Sequence, residues 1–155
     1  MRIFKDLFES FTSVAPRQSP RDLAHSLQLA SAVLLVEVMR AEPEVHAVEH
    51  ESVLATLRAR FDLSAEEVAQ LMELAGETAK KAEDFFRFTS AINDHFSHPQ
   101  KIQMIENMWR VAYSDAHLGA HEQHLISKIA GLLHVTHGEY IAAKLHAKHD
   151  SSRTG

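Results

Sequence analysis

Residues 109–135 read WRVAYSDAHLGAHEQHLISKIAGLLHV, and this stretch decides the fold. It opens as an apolar helix through Trp109, Val111 and Ala112 and breaks at Ser114-Asp115. It then resumes with Leu125, Ile126, Ile129 and Leu133 at the spacing of one helix face. The same order stands earlier in the chain. With Glu42 placed over Asp115, Val38 meets Val111, Val45 meets Leu118, Ala47 meets Ala120 and Glu49 meets Glu122. A second stripe, Val53, Leu54, Leu57 and Phe61, matches the later one after a shift of one residue. Each stripe is followed by a hydroxyl residue with Glu three positions on, Ser64 with Glu67 and Thr136 with Glu139, the mark of a capped helix start. The pattern implies two related three-helix units, over about 20–80 and 97–149.

The helices around this frame follow from the same signals. Ser19-Pro20-Arg21-Asp22 opens a helix that runs to about Ala41, and its apolar residues beyond Leu27 occupy most sides, which places it at the centre of the fold. Glu42-Pro43-Glu44 ends it. Further helices are expected near 46–61, from Ala65 through Val68, Leu71, Met72 and Ala75, near 83–95, from Ser97-His98-Pro99-Gln100 through Trp109, near 119–133 and near 136–148 with Ile141 and Leu145. Trp109 and Tyr113 read as core packing. No segment alternates with the period of a strand. The fold class is therefore all-α, a compact bundle of seven to eight short helices. Residues 2–11 form an amphipathic helix through Ile3, Phe4, Leu7, Phe8 and Phe11, followed by a linker to residue 19. Its balanced charges favour docking on its own domain or on a second subunit over a membrane. Residues 150–155 read as a frayed tail.

Composition bounds the function. A chain of 155 residues buries roughly 70% of its unfolded surface, enough for one core. The absence of cysteine excludes disulfides, thiolate metal sites and cysteine nucleophiles, and it fits a cytoplasmic protein. No signal peptide is visible, and the apolar run from Leu29 to Met39 is shorter than the ~20 residues that cross a bilayer. The formal charge of -5 argues against nucleic acid as a partner. Twelve histidines nearly cancel that charge close to pH 6, where about half of them are protonated.

The run Trp109-Arg110-Val111-Ala112-Tyr113-Ser114-Asp115, with Glu122-Gln123-His124-Leu125-Ile126 and Leu132-Leu133-His134-Val135, resembles the second half of a tellurite-resistance TerB-like protein. In that family a helix ends in alanine-aspartate-glycine, an aliphatic residue follows, and a glutamate begins the next helix. The resemblance covers about residues 20–147 and is strongest over 97–135. It implies an all-α fold and an association with stress from tellurite and other toxic agents. Ala116 and Pro43 stand at the glycine positions, and Glu42 replaces the aspartate of the first half.

Each junction sets one carboxylate at a helix end and another in the first turn of the next helix. Glu42 with Glu49, and Asp115 with Glu122 and His117, are the candidate ligands for a divalent cation, calcium, magnesium or zinc. Capping is the simpler reading of the same acids, because a carboxylate in a first turn pairs with free amides and the helix dipole. Glu44 and His46 at one junction, and His121 and His124 at the other, are the candidate partner surface. Catalysis lacks a motif. There is no phosphate loop, no Gly-x-Ser-x-Gly elbow, and His121-Glu122-Gln123-His124 is one residue short of a His-Glu-x-x-His site. The expected function is a non-catalytic adaptor of a bacterial-type stress response that binds a protein partner. The rivals are a metal-dependent enzyme using the same carboxylates and histidines, and a membrane-peripheral scaffold using the N-terminal helix.

Overall fold

The computed structural model describes residues 20–41, 47–82, 85–114 and 119–154, and side chains as far as residue 150. The amphipathic helix expected over 2–11 lies outside them. Among the described residues there are seven helices and no strand: α1 Pro20–Arg40, α2 Ala47–Phe61, α3 Ala65–Lys81, α4 Phe86–His95, α5 His98–Tyr113, α6 Ala120–Leu132 and α7 His137–Thr154. The expected all-α bundle is what is found. α1, α2 and α3 make the first triplet, and α5, α6 and α7 the second, with α4 between them.

α1 is the axis of the bundle. Every residue from Leu29 to Val36 is buried, and so are Val38 and Met39, so no face of this segment is left for solvent. It can be enclosed because α2, α3, α4, α5 and α6 all pack on it. By length and composition α1 also qualifies as a membrane-crossing helix, yet 61% of its most apolar window is buried inside the protein. Around it lie Leu57, Leu71, Ile92, Ile105, Trp109, Ile126, Ile129 and Leu133, all fully buried. Each such side chain contributes about 1.5–3 kcal/mol through removal from water.

Local chemistry sets the helix starts. Ser64 and Glu67 bond each other's backbone amides at 3.1 and 3.0 Å. Ser97 and Gln100 do the same at 3.3 and 2.8 Å, and Thr136 and Glu139 at 3.2 and 2.9 Å. Two residues before the first and last of these caps, the chain takes a left-handed turn at a residue other than glycine, Asp62 (φ 52°) and His134 (φ 60°). At His134 the turn is a complete Schellman closure: Val135 N–H bonds Ala130 C=O and His134 N–H bonds Gly131 C=O.

The last helix departs from its sequence reading. The apolar pair Ile141 and Leu145 is not the packed face; Leu145 is 59% exposed, while Ala143 and Ala147 are buried. Alanine allows α7 to lie close along α5, the most extensive helix pair in the bundle. The helix continues through Thr154.

Candidate functional site

The two junctions stand at equivalent places in the triplets, between α1 and α2 and between α5 and α6. Glu42, Glu44, His46, Asp115 and His117 lie outside the described residues. Glu49 and Glu122 are described, and both are the third residue of their helix. They are 0% and 1% exposed, the two most deeply buried charged side chains described. Glu122 Oε1 accepts from the Gly119 amide at 3.3 Å, which ties the helix start to the chain entering it. This is the capping role read from the sequence, with a burial that the sequence did not announce. A first-turn acid is ordinarily exposed, so periodicity gives no sign of it.

The neighbouring side chains face the other way. His50 and His121 are exposed on the same first turns that bury Glu49 and Glu122, and His124 is exposed at the start of the next turn. Each elbow is therefore acidic within and imidazole-bearing without. Among the described residues no group of three or more histidine, aspartate or glutamate side chains converges as a metal site.

A second polar region, missed by the sequence reading, joins α5 to α7. Glu106, 8% exposed, receives three partners: His146 Nδ1, Arg110 Nη2 at 3.1 Å and Gln103 Nε2 at 3.0 Å. Arg110 Nη2 also reaches Asp150 at 2.7 Å, and His98 Nε2 lies 2.8 Å from Glu139 at the opposite end of the helix pair. The pairs that cross from α5 to α7 are 40 or 41 positions apart in sequence, beyond the reach of any local motif. Lys144 sits 5.2 Å over the Trp109 ring and completes the seam.

Titration follows from these partners. The Thr136 amide, then His98 and the Thr136 hydroxyl, hold the Glu139 carboxyl below its usual range. The Ser64 amide and hydroxyl do the same for Glu67. Burial pushes Glu37 up against the opposing pull of Arg40, 3.6 Å away. Burial, helped by Arg21, lowers His25. Tyr113 and Tyr140 are both raised by burial in the aromatic group around Trp109.

A cleft of about 390 Å³ opens between α2 and α5, where the two triplets meet. Its lining is Ala55, Thr56, Ala59 and Arg60 from α2, with Gln103, Asn107 and Arg110 from α5.

Fold and elbows together define an all-α domain of paired helix triplets, each with a buried acid at its first elbow. The family model described as tellurite resistance protein TerB matches residues 28–145, and the chain belongs to that family. No curated protein and no solved structure matches it.

Proposed function

We propose that this protein is a non-catalytic interaction module of a tellurite-type stress response, and that its elbows form the working surface. The family supports the association with tellurite resistance. The observation that carries the rest is the pairing at each elbow of a fully buried carboxylate with exposed histidines, Glu49 with His50 and Glu122 with His121 and His124. An ionised carboxylate keeps its charge in the interior only when amides or a cation compensate it. A hard divalent cation takes such oxygens together with backbone carbonyls. Bound there, it would fix the end of one helix to the start of the next and so set the histidine-bearing surface that a protein partner meets.

Thermal melting with calcium, magnesium or zinc tests this reading. A cation present at a hundred times its dissociation constant adds about 2.7 kcal/mol of stability. The expected result is a rise in melting temperature with one of the three, lost when Glu49→Gln and Glu122→Gln are combined. Melting curves that stay unmoved by millimolar concentrations of all three would remove the cation from the proposal.

A further inference from the structure

We infer that the α2/α5 cleft is a docking site for a carboxylate-bearing segment of a partner protein. The site is separate from the elbows and independent of the cation.

The lining of the cleft has an unbalanced hydrogen-bonding capacity. Arg60 carries five N–H donors, and none of the described carboxylates pairs with it. Its guanidinium is held instead over the rings of Phe61 and Phe96, at 5.3 and 5.4 Å. Aromatic faces position a guanidinium without neutralising it, so Arg60 arrives at the cleft ordered and still charged. Arg110 uses one nitrogen, Nη2, for both Glu106 and Asp150, which leaves its remaining N–H groups to offer. Asn107 is 7% exposed, and its carboxamide oxygen is taken by Gln103 Nε2 at 3.0 Å. Its own N–H₂ has no acceptor among the described residues.

Donors therefore dominate, and the complement is an acceptor-rich anion. A peptide segment fits better than a free ion for two reasons. Gln103 spends its nitrogen on Glu106 and Asn107, so its carboxamide oxygen remains as an acceptor on the same wall as the donors, and a peptide group supplies both a C=O and an N–H to such a mixed lining. The floor from α2 is Ala55 and Ala59 with Thr56, small side chains one turn apart that let a chain lie against the helix. A volume of about 390 Å³ in an open cleft holds a few side chains of an extended segment.

The test is binding of a fluorescent hexaglutamate peptide to the full chain, against hexaglutamine at the same ionic strength. Hexaglutamate is expected to bind and hexaglutamine to bind far more weakly. Arg60→Gln removes the free guanidinium, and Ala59→Glu places a carboxylate on the exposed floor with every cation retained. Each is expected to weaken hexaglutamate about tenfold, Ala59→Glu at an unchanged melting temperature and Arg60→Gln with the small loss of stability that follows from its ring contacts. Equal binding of both peptides, or unaltered affinity in Ala59→Glu, would overturn the proposal. So would self-association of the chain that Ala59→Glu abolishes, since the occupant would then be a second copy. Glu49→Gln with Glu122→Gln leaves this cleft untouched, so the elbow reading and this one can fail separately.

Discussion

The closing helices of the two triplets, α3 and α7, begin with the same capping box and then diverge in how they are held. With Ser64 placed over Thr136, Val68 falls on Tyr140, Leu71 on Ala143, Met72 on Lys144, Leu74 on His146, Ala75 on Ala147 and Thr78 on Asp150. All six positions are buried in α3, but only the two alanines are buried in α7. α3 is welded to α1 by aliphatic volume. α7 lies close along α5 on small residues, and its long side chains reach outward to Glu106, Arg110 and His98 across the seam. One backbone plan thus supports two kinds of adhesion. The first carries no charge for salt to screen, whereas the second is made largely of ion pairs whose attraction salt weakens.

The largest test of this contrast is Leu71→Ala, which gives α3 the residue that α7 already has at the matching place. Leu71 is fully buried, and α3 packs on α1 mainly through aliphatic side chains, so the loss should be about 2–5 kcal/mol in urea unfolding. A loss below about 1 kcal/mol would show that α3 does not depend on aliphatic packing. A smaller effect of opposite sign is expected at the left-handed turns. His134→Gly relieves a strained backbone at a Schellman closure and should add about 0.5–1 kcal/mol, net of the greater freedom of glycine when unfolded. Asp62→Gly should gain less, because aspartate tolerates that conformation better.

The smallest effect lies in the acid limb of the pH profile. Glu67 and Glu139 are both held below the ordinary carboxyl value in the folded protein, so each adds stability above that value. That stability is lost as pH falls through the folded-state value and the carboxyls take up protons. Thermal melts below about pH 5 should therefore decline, and Glu139→Gln should flatten the decline more than Glu67→Gln, since Glu139 also holds His98. Equal flattening by the two variants would show that the His98 contact adds nothing.

Much of this architecture was legible in the residues. The unbroken apolar stretch of α1 announced a central helix, and Ser64-x-x-Glu67, Ser97-x-x-Gln100 and Thr136-x-x-Glu139 announced three helix starts, because capping acts within one turn. The burial of Glu49 and Glu122 was not legible, since a first-turn acid has the same local pattern whether it is covered or not. Nor was the packed face of α7. Leu145 looked like its anchor, yet the face that packs is chosen by the close approach of α5 and by partners some forty residues away. The left-handed residues at Asp62 and His134 escaped notice because the usual sign of such a turn, glycine, is missing. The cleft escaped for a similar reason: Arg60 and Arg110 come from different triplets and meet only once the bundle has closed.

The enclosure of α1 has a consequence for biosynthesis. Among the described helices, residues 20–40 leave the ribosome ahead of all five that pack on them, and the last of those, α6, ends at Leu132. Until α2 and α3 emerge this apolar segment is a bare hydrophobic rod, and it stays open afterwards on the sides that α4, α5 and α6 cover, which invites a chaperone during vectorial synthesis. Ribosome-bound chains halted before α5 should be held by such factors, and release should come only after the second triplet has emerged.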